Sequence, residues 1–395
     1  MTGQANDRGG FSPQEDGPLN GEGIAESARI EPLGSAVSQL ERRVAELEAQ
    51  LARVQAGVGP LDVGAAPLQV LEVEPSLRQY APMLASLPGA CRRPGKRRLV
   101  IPIHLPKLVH LSSIFAGVAD DMEGDAPVVT FVATTALERA LIQSYVDMVH
   151  PRLPIDCEII SAEEMCEALC FTTLGKRLMD GRAEGTINVK KLLGLFRSVL
   201  LGSEETICMD SDVLFLKAPS ELFDRVASNY SIGKMVFLNS PIDITQEVVR
   251  QSSSRFFSDR DAVRLAALYG ENKFSWFFDA PYYPASEASA FLAHLCHVGG
   301  GLERALGQLT WHTFDHVLFA NYRILRGDLE VVDARSTVRP NAITDDLTLQ
   351  DIGAIKEKYD LLPVWAPLSS LVSAGDHALK DQFFVAIHAD RLREP

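Results

Sequence analysis

ETICMDSDVLFLKAPSELF, residues 205–223, sets two carboxylates, Asp210 and Asp212, inside an otherwise apolar run. Such a run reads as a buried strand, where an unpaired carboxylate is expensive. The four residues before the pair and VLFL after it are apolar or nearly so, and KAPSELF leads into a helix. Two aspartates two positions apart would face the same side of an ideal strand. Here they fall where the chain leaves the sheet, so both can project beyond its carboxyl edge. Neighbouring carboxylates repel each other, and a divalent cation removes that repulsion. Mg²⁺ or Mn²⁺ held by one or two carboxylates takes further ligands from substrate phosphates. The pair therefore points to a metal–diphosphate site. Two aspartates capping a turn and the following helix would look the same in isolation.

The surroundings supply the fold class. RLVIPIH (98–104), PVVTFVATT (127–135) and IDCEIIS (155–161) read as strands. Helices are expected around 108–120, over 136–150, from AEEMCEALC onward, and over 188–201. ETICMD, VLFL and KMVFLN (234–239) add strands, and QFFVAIHADR (382–391) is a late one. Repeated β-α-β order predicts an α/β domain with a mostly parallel sheet flanked by helices. Residues 241–345 read as mostly helical, with aromatic patches FSWFFDAPYYPA and LTWHTFDHVLFANY.

INVKKLLGLFRSVLLGSEETICMDSDVLFLKAPSELF resembles the DxD region of GT-A glycosyltransferases, and the glycogenin-like group in particular. The resemblance covers about 98–240 and the late histidine. It implies a GT-A, Rossmann-like fold, a nucleotide-sugar donor, a divalent metal (Mn or Mg) and hexosyl transfer. A Lys on the helix before the DxD strand faces the sugar diphosphate in that group. Lys191 matches this position and Lys190 adjoins it. A cation there would stabilise the departing diphosphate. Asp210 and Asp212 would hold the metal with His388 as third ligand, and Asp210 and Ser211 would line the donor site. Ile103 and His104, ending the first strand, would meet the nucleotide base. The His-x-x-Gly-x-x-Lys-Pro-Trp motif of the glycogenin group is absent after His388, which places the chain in a divergent branch.

Trp276, Phe277, Asp279, Tyr282 and Tyr283 read first as an aromatic core under a long loop, with an acceptor platform as the alternative. Asp315, in WHTFDHVLFANY, is a candidate base or orienter of an acceptor hydroxyl, while Phe319 and Tyr322 read as packing residues. The acceptor is a saccharide, a glycolipid or a protein. Two other readings compete. A haloacid-dehalogenase-type phosphatase also uses an apolar strand ending in DxD, with ITDDLTL (343–349) as a later acidic pair. That motif normally opens its domain, whereas α/β sequence precedes Asp210 from residue 98. The other reading is a non-catalytic coiled-coil scaffold with a degenerate transferase-like domain.

The net charge of −14 argues against a nucleic-acid partner, since phosphate neutralisation needs clustered Lys and Arg. CRRPGKRR (91–98) is one short basic run, read as a solvated entry to the first strand or as a weak membrane-surface contact. The six cysteines include no CxxC pair, so neither a disulfide framework nor a cysteine zinc site is expected. There is no signal-peptide pattern and no apolar stretch near the roughly 18 residues of a membrane span. Together these predict a cytoplasmic protein, with the inner membrane face as an alternative location.

Four segments are expected: a disordered tail (1–33), a short coiled coil (34–57), a linker (58–96) and the catalytic domain (97–395). The last divides into a nucleotide-sugar half, 97–240, and an acceptor half, 241–395. Val37, Leu40, Val44, Leu47, Leu51 and Val54 alternate spacings of three and four, the seam of a coiled coil. Residues 35–56 therefore offer a surface for homo-oligomerisation.

Overall fold

The computed structural model describes residues 73–85, 87, 96–119, 126–149, 157–181, 184–239, 242–270, 273–274, 281–343, 347–361, 365–367 and 384–386. The predicted tail and coiled coil, His388 and Trp276–Asp279 lie outside them. Strand β1 (Arg97–Pro102) is followed by a 3-10 turn (Leu105–His110) and helix α1 (Leu111–Ala119). Next come β2 (Val128–Ala133), α2 (Ala136–Val149), β3 (Cys157–Ser161), α3 (Ala162–Ala168) and α4 (Thr172–Met179). Helix α5 (Thr186–Leu200) leads into β4 (Glu205–Cys208), β5 (Val213–Phe215), α6 (Pro219–Ile232) and β6 (Lys234–Asn239).

The main sheet has the order β3-β2-β1-β4 with all four strands parallel, and β8 (Tyr282–Pro284) adds to β4 antiparallel. This is the α/β architecture expected from the β-α-β order. Strands β1 to β3 are buried almost throughout, as strands covered by helices on both faces must be. Alternation along β1 divides the core. Leu99 and Ile101 pack with Phe115 of α1, Ile142 of α2 and Phe223 of α6. Val100 points to the opposite layer with Leu192, Leu193 and Phe196 of α5. Helix α5 comes close to the sheet because residue 194 is glycine: a Cβ there would stand 2.4 Å from Val100 Cγ1.

Beyond β6 the chain is mainly helical, as read: α7 (Ile242–Ser254), α8 (Asp259–Tyr269), α9 (Ala285–Gly299), α10 (Leu302–Gly307) and α11 (Asp315–Arg326). Two small sheets complete the described fold. β7 (Lys273–Phe274) and β9 (Glu330–Asp333) flank β6, and α12 (Leu349–Tyr359) follows. β10 (Trp365–Pro367) runs parallel to β11 (Phe384–Ala386), which pairs antiparallel with β5.

Two sequence expectations need correction. The predicted linker contains two short helices, Pro75–Arg78 and Ala81–Ala85, whose Leu77 and Leu84 sink into the main core. Its Pro and Gly content hid those leucines. The end of the basic run is not solvated. Arg97 pairs with Glu205 and Asp224, and Arg98 is wholly buried against Glu158, Thr130 and Ser203. Tyr282 and Tyr283 form an edge strand of the sheet and are buried in the core, as the first reading of them had it, so neither offers a stacking surface. No helix among the described residues is long and apolar enough to cross a membrane.

Candidate functional site

Strands β2 and β3 continue the sheet on one side of β1, and β4 lies on the other. The chain order therefore reverses between β1 and β4, and ligands of open α/β sheets settle beyond the carboxyl ends of the strands at such a point. Met209 N–H still donates to the Val100 carbonyl at 2.9 Å, so the two strands stay zipped up to the residue before Asp210. The connection 210–212 then opens at that crevice.

Each aspartate there meets a different lysine. Lys191 of α5 places Nζ 2.9 Å from Asp210 Oδ1, while Lys107, in the turn after β1, places Nζ 2.9 Å from Asp212 Oδ2. Asp210 keeps about a third of its side chain exposed, whereas Ser211 and Asp212 are buried. Lys107 was not singled out in the sequence. The available signal was a lysine three residues past a strand-end histidine, in a loop at the sheet's carboxyl edge.

Lys191 has a second carboxylate behind it, with Asp315 Oδ1 3.7 Å from Nζ. Asp315 opens α11, where the helix dipole favours a negative charge. It is fully buried, and Tyr283 donates its hydroxyl to the other oxygen at 2.5 Å. Burial by itself would raise the Asp315 pKa, but the Lys191 charge and contacts from His316 and Tyr283 hold it below the usual carboxylate range. Burial would likewise discharge Lys191, yet Asp210 and Asp315 outweigh it and keep the ammonium charged. Phe319 and Tyr322 pack into the same helix layer, as read.

Lys190 turns to the neighbouring loop and donates to the Ile103 carbonyl at 2.7 Å. Its burial lowers its pKa to about 8, against the opposing charge of Glu138. Glu138 ties this corner together, accepting from Leu105 N–H at 3.0 Å and Thr134 N–H at 2.6 Å. His104 lies beside them, its pKa lowered by burial and then by Lys190 and Lys107. Ile103, His104, Lys190, Lys191, Asp210, Ser211, Asp212 and Asp315 thus gather around the carboxyl ends of β1 and β4.

No group of three His, Cys, Asp or Glu side chains among the described residues is arranged to hold a metal. Two carboxylates on one short connection nevertheless suit a hard, oxygen-seeking divalent cation. Asp210 Oδ1 is buried, faces Lys191 and has no aligned hydrogen-bond donor. A carboxylate bound to one lysine retains lone pairs for a further cation.

No protein-family model matches the sequence, and a search of curated proteins gives no match. Among solved structures, the chain is similar to mouse xyloside xylosyltransferase 1 in its apo form, with a TM-score of 0.32 and 10% identity. That similarity covers 74% of this chain and 98% of the other. Core-mannan synthase A from Aspergillus fumigatus, in a Mn/GDP form, gives a TM-score of 0.27 at 10% identity, over 65% and 78% of the two chains.

Proposed function

We propose that the chain is a nucleotide-sugar-dependent glycosyltransferase of GT-A type whose donor diphosphate sits between Lys107, Lys191 and the 210–212 connection. One observation carries this reading. Two carboxylates and two lysine ammoniums from separate elements converge where the strand order reverses between β1 and β4. Such a mixed cluster suits a diphosphate with its divalent cation, since the lysines take anionic oxygens and the aspartates take the metal.

In this reading Asp212 and Asp210 hold Mg²⁺ or Mn²⁺. That ion supplies charge neutralisation on the leaving diphosphate. Lys191, kept protonated by Asp210 and Asp315, gives up its Asp210 contact to a phosphate oxygen and stabilises charge on the departing nucleotide. Lys107 does the same from the opposite wall. Asp315, closed off from solvent, acts on Lys191 rather than on an acceptor. Lys190, His104 and the Ile103 backbone shape the wall that takes the nucleoside. His388, the third ligand that the resemblance implies, would complete the metal site. Ala386 pairs with Val213, directly after Asp212, and His388 follows two residues later in the sequence.

The deciding experiment is a thermal-shift screen of nucleoside diphosphates with and without Mn²⁺, followed by hydrolysis of UDP- and GDP-sugars. Metal-dependent stabilisation by one nucleotide, donor turnover, and loss of both in Asp212→Ala are expected. Turnover of simple phosphate esters without any nucleotide sugar would assign a phosphatase instead. Neither binding nor turnover would leave the scaffold reading.

A further inference from the structure

We propose that Tyr283 is a positioning residue that holds one oxygen of Asp315, so that Lys191 stays directed at Asp210 and the donor site. The proposal rests on the role given to Lys191 above. Its basis is how the Asp315 carboxylate divides its contacts. Oδ2 receives the Tyr283 hydroxyl at 2.5 Å, whereas Oδ1 faces Lys191 at 3.7 Å and His316 Nδ1 at 3.9 Å, neither of them aligned as a hydrogen-bond donor. Lys191 thus lies 2.9 Å from the half-open Asp210 and farther from the fully buried Asp315.

That order runs against simple electrostatics. Attraction between opposite charges strengthens in a dry environment, so the more deeply buried carboxylate should hold the ammonium more tightly. Something must restrain Asp315, and the Tyr283 hydroxyl is placed to do so. Tyr283 is itself firmly seated. It pairs with Thr206 across the β4–β8 ladder, is fully buried, and its ring packs 4.8 Å from that of Phe319. Without the hydroxyl, Asp315 is free to turn both oxygens onto Lys191 and draw it away from the crevice. The hydroxyl therefore keeps Asp315 near the lysine yet leaves the lysine directed at Asp210 and available to the donor.

Two measurements test this. The full chain is pulse-labelled with acetic anhydride at pH 9, and Lys191 modification is measured against the other lysines by peptide mass spectrometry. Tyr283→Phe is expected to lower Lys191 reactivity several-fold as Asp315 closes on the amine. Loosened packing would raise it instead, so an unchanged or raised reactivity overturns the proposal. The second measurement is donor hydrolysis. Tyr283→Phe should lower kcat by about 5- to 10-fold with donor KM within about 2-fold, and should cost nothing more in a Lys191→Met background. Equal losses in both backgrounds, or no loss in kcat, would also overturn it. If the wild-type chain turns over no nucleotide sugar, the functional reading fails while the labelling result still decides the role of Tyr283.

Discussion

The ammonium of Lys107 lies 2.9 Å from Oδ2 of Asp212, joining residues 105 positions apart across the mouth of the β1–β4 crevice. The bridge gives the carboxyl edge of the sheet two cationic walls, Lys107 on one side and Lys191 on the other.

Lys107→Met should therefore weaken donor binding more than it weakens the fold. Donor KM is expected to rise about 10-fold, equivalent to about 1.4 kcal/mol, with kcat changed far less. The melting temperature should fall modestly, because Asp212 is buried and loses the Lys107 ammonium. An unchanged KM would confine Lys107 to steadying Asp212.

Lys190 carries a pH signature. Its folded pKa, lowered by burial to about 8, is below that of a free lysine, so the unfolded chain binds more protons in between. Stability contributed at this position should rise with pH from about 8 toward 10.5 and be lowest below pH 8. Urea unfolding of wild type and Lys190→Met across that window checks it. The difference should grow in favour of wild type by roughly 1–3 kcal/mol.

Glu158 is the anion of a buried network, contacted by Arg98, by Thr130 at 2.7 Å and by Arg197 Nη2 at 3.0 Å. Burial by itself raises its pKa, but the charges of Arg98 and Arg197 outweigh this and leave it lowered. Its contribution is thus complete above the unfolded carboxylate value and is lost as pH falls through the lower folded one. Glu158→Gln should cost about 3–5 kcal/mol at neutral pH by stranding two buried guanidiniums. The gap to wild type should narrow on acidification, as read by denaturant midpoints.

Gly194→Ala should destabilise the protein although alanine favours helix. The added Cβ would meet Val100 Cγ1 at 2.4 Å and Val132 Cγ2 at 3.2 Å. Overpacking of this kind costs typically about 1–3 kcal/mol, against about 1 kcal/mol gained in propensity. The same shift would displace Lys190 and Lys191 on α5. Lower Tm together with weaker donor binding is expected, and a rise in Tm would overturn the close-approach argument.

The elements best read from sequence were those with a strong period or a continuous apolar run. β1, β2 and β3 stand close to their expected places because parallel strands buried on both faces read as continuous apolar runs. β6 does so through its short apolar run with a buried centre. Short elements were less legible. β8 is a three-residue strand whose tyrosines resembled a platform or core, and Leu77 and Leu84 sat in a stretch punctuated by Pro and Gly.

The sequence by itself determined that two carboxylates end an apolar strand, that two adjacent lysines precede them on a helix, and that the fold alternates β and α. These are local patterns, and local periodicity carries them. The tertiary structure decided which lysine faces which acid. Lys191 reaches Asp210 and Asp315, Lys190 turns aside to Ile103, and Lys107 arrives from another loop to meet Asp212. Adjacent helix positions point about 100° apart. Their roles therefore depend on the rotation at which α5 packs on the sheet, which pairings far apart in sequence set and no short stretch encodes.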